Sequence, residues 1–110
     1  MVKYSSTRLD AIFAALSDPT RRAILQRLAT EEASVTELAE PFAMSLPAIS
    51  KHLHVLRNAG LVSRTKDGRI HHLRLEVETL KQAVSWLEQY LQFWDARLDA
   101  LEQFVAKSKK

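Results

Sequence analysis

Apolar residues along this chain recur at helical spacing, with one interruption. Leu9, Ile12, Phe13 and Leu16 fall at i, i+3, i+4 and i+7, one stripe of a helix predicted over about residues 6–17, with Ser5 to Thr7 available as caps. The segment SDPTRRAILQRLA restarts the pattern after Ser17. Asp18 can accept from the free N–H groups of a new first turn, Pro19 suits the first helical position, and Ile24, Leu25 and Leu28 supply a buried face. A short extended piece is expected around Ala33 to Val35, then a helix capped by Thr36 with Leu38, Ala39 and Phe42 facing inward. Pro41 cannot donate a backbone hydrogen bond, so that helix must be short or distorted in its last turn.

A fourth helix starts at the cap Ser45, carries Pro47 in its first turn, and ends at Gly60 as the left-handed residue past its C-cap. Two short helices joined by a few residues predict a helix-turn-helix over about 36–59. The period then changes. LVSRTKDGRIHHLRL alternates around Asp67-Gly68, a two-residue hairpin signal, and predicts a wing over about 61–75. From about 79 to 107 an apolar stripe returns, including Leu80, Leu87, Tyr90, Leu91, Trp94, Leu98, Leu101 and Phe104. The expected fold is mainly α with a small β-hairpin: a winged helix-turn-helix with a long C-terminal dimerisation helix, one domain over residues 1–110.

Charge sharpens this picture. The 110 residues carry a net charge of only +3, but residues 41–75 hold six basic side chains, one acidic side chain and all four histidines. Residues 76–106 hold two basic and six acidic side chains. Such asymmetry points to a polyanion meeting the middle of the chain. With no cysteine, neither a disulfide framework nor a thiolate metal site is available. No window reaches the ~18 apolar residues a membrane span needs, so a soluble, cytoplasmic protein is expected, without a membrane partner.

The decisive stretch is MSLPAISKHLHVLRNAGLV, Met44 to Val62. On a helical wheel Ile49, Leu53 and Leu56 lie within about 60° of one another and form a core face. Opposite stand Pro47, Lys51, His54 and Asn58, flanked by Ser50 and Arg57. A face that is short-reach at its N-terminal end and basic throughout suits the major groove of double-stranded DNA. Ser50, Lys51 and His54 are the expected base or phosphate contacts, and Arg57 a phosphate contact. In the hairpin, Arg64, Lys66 and Arg69 bracket the tip and could reach phosphate or the minor groove. His52, at the margin of the core face, reads as a packed or hydrogen-bonded structural residue.

Other chemistries find no support. His52 and His54 are about 200° apart on a helix, and His71 and His72 point to opposite faces of a strand, so no metal site within one chain is expected. Ser50 and His54 could touch, but no carboxylate in the helix is placed to orient the imidazole, so no catalytic residue is assigned and an enzyme is not expected. No cofactor is implied, since two glycines cannot build a phosphate-cradling loop. The alternative of a different class is a winged-helix protein-interaction module without DNA binding, its basic face meeting an acidic protein.

The segments LSDPTRRAILQRL, VTELAEPFAMSLPAISKHLHVLRNAGLV and KDGRIHHLRL resemble the ArsR-type family of winged-helix repressors, across roughly residues 8–105. Ser-Lys-His-Leu followed by Leu-x-x-Ala-Gly-Leu-Val is the specific part. The tail LKQAVSWLEQYLQFWDARLDALEQF is further similar to a branch often encoded beside a START-like lipid- or ligand-binding protein. The resemblance implies promoter binding as a homodimer, release by an unidentified small-molecule or protein inducer, and dimerisation through the first and last helices. On that basis the dimer interface falls on Leu9, Ile12, Phe13, Leu87, Leu91, Trp94, Leu98 and Leu101. Metal-sensing members carry two cysteines at positions matching Ala39 and Pro41, or histidines on the last helix. This sequence has neither, which implies a non-metal-sensing branch.

Overall fold

In the computed structural model, which describes residues 6–108, five helices and a three-stranded sheet follow one another in the order α1 (Ser6–Leu16), α2 (Pro19–Leu28), β1 (Ala33–Ser34), α3 (Val35–Ala39), α4 (Leu46–Asn58), β2 (Val62–Asp67), β3 (Ile70–Leu75) and α5 (Val77–Ser108). Of the expected caps of α1, Ser5 lies outside the described residues and Thr7 stands within the first turn. Asp18 caps α2, its carboxylate accepting from the Arg21 N–H at 3.1 Å. That bond holds the Asp18 carboxyl below its ordinary 3.8, because the charged form is the better acceptor.

Two local expectations are corrected. The cap of α3 is Ser34, not Thr36: Ser34 and Glu37 form a reciprocal capping box, Glu37 N–H to Ser34 Oγ at 3.2 Å and Ser34 N–H to Glu37 Oε1 at 2.9 Å. The box satisfies two orphan donors where a Thr36 cap would satisfy one. At the wing tip, Asp67 pairs with Ile70, so the turning residues are Gly68-Arg69 rather than Asp67-Gly68. Gly68 has φ 64° and Arg69 is not in the left-handed region, the pattern of a II′ turn with glycine first.

α3 is one short turn, continued as a 3-10 turn over Glu40–Phe42. Pro41 stands where a further α-helical donor would be needed. Ala43 then takes a left-handed φ of 52°, which reverses the chain between α3 and α4. The sheet is antiparallel in the order β1-β3-β2. The short extended piece before α3 thus joins the hairpin, Ala33 opposite Leu73 and Ser34 opposite His72.

One core unites these elements. Ile12, Ile24, Leu38, Ile49, Leu56, Leu61 and Leu73 are fully buried, each stabilising the fold by about 1.5–3 kcal/mol relative to exposure. α5 contributes only its beginning, through buried Thr79 and Ala83. Its 32 residues extend about 48 Å at 1.5 Å per residue, and the molecule accordingly measures 71 × 34 × 22 Å.

Candidate nucleic-acid interface

α4 is fixed at both ends. Ser45 Oγ accepts from the Ala48 N–H at 3.3 Å. At the other end Gly60, φ 78°, directs its N–H to Arg57 O (2.9 Å) and that of Leu61 to Leu56 O (3.0 Å). This paired closure, with Leu56 and Leu61 both buried, is a Schellman motif. It turns the chain directly into β2, so the wing starts beside the helix.

With the apolar face packed inward, Pro47, Ser50, Lys51, His54, Arg57 and Asn58 are all exposed, and the 13-residue helix carries no acidic side chain. Asn58 Nδ2 donates to His54 Nε2 at 3.1 Å. With Nε2 accepting, Nδ1 is the donor of that ring. Ser50, His54 and Arg57 share a cleft of about 130 Å³ with Val35, Leu53, Arg64 and Leu73, which brings Arg64 of the wing against the helix. Across the sheet Arg64 pairs with Leu73 and Lys66 with His71, so Arg64 and Lys66 lie on the face of buried Leu73, the face toward α4. Arg69 stands apart, in a hollow of about 350 Å³ with Ser34, Val35, Thr36, Ile70 and His71.

The remaining basic residue of this segment is engaged elsewhere. Arg74 reaches Glu76 Oε1 at 3.3 Å, and Ser63 Oγ donates to the same oxygen at 2.8 Å. The Ser63 hydroxyl first, and Arg74 second, hold the Glu76 carboxyl below its ordinary 4.5.

A second surface runs along α1 and α5. Phe13 meets Trp86 edge-on (5.8 Å between centroids), Trp86 stacks on Tyr90 (5.5 Å, 6°), and Tyr90 meets Trp94 edge-on (6.1 Å). Trp86, Tyr90 and Trp94 are exposed, Trp94 to 44 %, as are Leu87, Leu91, Leu98 and Leu101 at 43–58 %. Leu9 and Phe13 are half-buried. Ile12 is different: at 0 % exposure it is enclosed in the core of its own chain and has no surface to offer another. The stripe read from sequence also omitted Trp86 and Phe93. Trp86, Tyr90 and Trp94 repeat at every fourth position, and that aromatic spacing is the signal that reveals the ladder.

Among the described residues no three His, Asp or Glu side chains gather as a metal site, and no helix is long and apolar enough to cross a membrane.

Comparison with known proteins agrees with this arrangement. A family described as helix-turn-helix domain matches residues 16–65, the span from the end of α1 into β2. The transcriptional repressor SdpR of Bacillus subtilis (strain 168) is 32% identical over 83 residues, 76% of this chain and 92% of that protein. The crystal structure of an ArsR family transcriptional regulator superposes with a TM-score of 0.79 at 41% identity, covering 86% of this chain and 97% of the other. An ArsR-like transcriptional regulator from Rhodococcus sp. RHA1 gives 0.78 at 39% identity, over 89% and 92%. A chain with this helix-turn-helix, this wing and these relatives belongs to the ArsR family of DNA-binding transcriptional regulators and is not an enzyme.

Proposed function

We propose that this regulator acts as a homodimeric repressor on an inverted-repeat operator, with residues 1–110 working as one winged-helix unit. The observation that supports it most is the exposed, acid-free face of α4 with Arg64 packed beside it. In this reading Ser50, Lys51 and His54 meet base edges in the major groove, Pro47 and Asn58 border them, and Arg57, Arg64, Lys66 and Arg69 meet phosphate or the flanking minor groove. Leu9, Phe13, Leu87, Leu91, Trp94, Leu98 and Leu101 face the second copy. Two-fold symmetry then sets two copies of α4 in successive major grooves, roughly 34 Å apart.

Duplex binding measured against salt tests the reading. Affinity should fall steeply and linearly on a log–log plot as phosphate counterions are released. Absence of DNA binding at low salt, with retention of an acidic protein instead, overturns it in favour of an association module.

Where an inducer releases the protein from DNA, we propose that it is a small molecule or a protein acting in the cytoplasm and not a metal; simple autoregulation without one is the other reading. Ala39 and Pro41 stand where thiolate ligands would be required, and α5 has no histidine. Zinc, cadmium or nickel added near stoichiometry should leave the protein–DNA complex intact. Tight binding of one of them with loss of the complex contradicts the assignment.

A further inference from the structure

α1 ends at Leu16 and leaves its last carbonyls without donors from its own helix. Arg21, in the first turn of α2, reaches two of them: Nε donates to Ala15 O at 2.7 Å and Nη2 to Ala14 O at 3.1 Å, an oxygen that also accepts from the Ser17 N–H (3.2 Å) and Ser17 Oγ (2.6 Å). The third nitrogen, Nη1, donates to His52 Nδ1 of α4 at 3.3 Å. A guanidinium cannot accept, so this bond needs the lone pair on Nδ1 and the ring proton on Nε2. Asp18 completes the cluster. Its Oδ2 accepts the Arg21 backbone N–H at 3.1 Å and lies 3.9 Å from His52 Nδ1.

One rigid planar fork therefore grips the end of α1 on one side and α4 on the other. His52 is half-buried, off the exposed face, yet it is adjacent in the chain to Lys51 and two residues from His54. Within a continuous helix a displacement at His52 re-aims both. Arg8, from the start of α1, reaches the far end of the same helix. Its Nη2 donates to Thr79 Oγ1 of α5 at 3.3 Å and lies against the α carbon side of Gly60, where a Cβ would come within 2.5 Å.

We infer that Arg21 is a positioning residue that transmits the setting of α1, and with it the geometry of the dimer, to the recognition helix through His52. The inference rests on the dimeric, DNA-reading function proposed above. α1 carries Leu9 and Phe13 on the dimer side, and its Ala15 carbonyl, with a share of Ala14's, is held by the same group that holds His52, while Arg22 takes Leu16 O. A change in how the two copies meet moves the reading heads through that group, without any contact between Arg21 and DNA.

The test uses duplexes selected by the parent protein from a random-sequence library, intact and with two base pairs inserted between the half-sites. His52→Leu removes the acceptor and puts an apolar side chain of similar bulk in its place. His52→Gln keeps an acceptor oxygen, and Arg21→Lys keeps the charge without the three-way fork. Arg21→Lys and His52→Leu should each bind the intact duplex about tenfold more weakly, the scale of one lost charge-assisted hydrogen bond. Their penalty for the insertion should shrink, the double variant should be no worse than either single one, and His52→Gln should recover most of the loss.

Parental affinity and parental insertion penalty in His52→Leu overturn the inference. So does an equal loss in His52→Gln, or additive losses in the double variant. Equal weakening on intact and inserted duplexes, with a lowered thermal midpoint, marks a merely structural role and also contradicts it. A parent with no spacing preference at all removes the dimeric reading, a result distinct from every one of these.

Discussion

α4 and α5 are both amphipathic, and they solve opposite problems. In α4 the core-facing Ile49, Leu53 and Leu56 are at most 4 % exposed, and although Leu46 and Val55 remain 48 % and 37 % exposed, the outer face is mainly basic and hydrogen-bonding. In α5 only Thr79 and Ala83 are buried, while Leu91, Leu98 and Leu101 remain 55–58 % exposed. An apolar stripe of that extent left solvent-exposed is the kind of surface that interaction sites use. The difference separates two kinds of partner. α4 suits a hydrated polyanion, approached through charge and hydrogen bonds, and α5 suits another apolar helix, approached by excluding water.

The sharpest way to break this division is to charge the α5 stripe. Trp94→Glu should dissociate the proposed dimer in sedimentation, and operator affinity should fall by roughly 10²- to 10⁴-fold because two reading heads would no longer bind as one. An unaltered dimer would move the interface elsewhere. The next effect lies on α4, where Lys51→Ala or His54→Ala should each cost about 1–3 kcal/mol of operator binding with an unchanged melting curve. Parental binding by both would remove α4 as the reader. Smaller still, Arg69→Ala should weaken binding to all sequences alike and lower the log–log salt slope by about one. A change in base preference would instead make Arg69 a base reader.

Least affected is the frame that carries α4. Asp18 and Glu37 both titrate below their ordinary 3.8 and 4.5 because each carboxylate accepts a backbone N–H. Their stabilisation is therefore present above those values and is lost as pH falls through the lower folded ones. Asp18→Asn keeps an oxygen acceptor at the cap, so thermal melts should show little change near neutrality and a shallower loss between pH 5 and 2, about the range where such caps protonate. An unchanged acid limb would exclude Asp18 as a contributor.

Much of the fold was legible because local chemistry decides it. Asp18, Ser45 and Gly60 act at helix ends where their side chains or lack of one matter, and Pro41 shortens α3 as its missing N–H requires. Competing local solutions were harder to separate. Ser34 and Thr36 are both capable caps, and only Glu37 three residues after Ser34 favours the former. Asp67-Gly68 and Gly68-Arg69 are both acceptable hairpin pairs, and the choice falls to the register set by Val62 opposite Leu75. The partners in long-range contacts were not legible, although His52 already read as a packed or hydrogen-bonded residue. Ile12 shares its stripe with Leu9 and Phe13, yet it alone of the three is fully buried. Arg21 with His52 and Arg8 with Thr79 are 31 and 71 residues apart, and no spacing rule joins such pairs.

The most direct measurement is selection of bound fragments from a random duplex library by the purified parent, with the mass of the complex determined on the winning sequence. Two chains on one inverted repeat, with half-site centres about 10–10.5 base pairs apart or a multiple of that, is the expected result. A single 12.5 kDa chain on an asymmetric site, or no enrichment of any sequence, would contradict it.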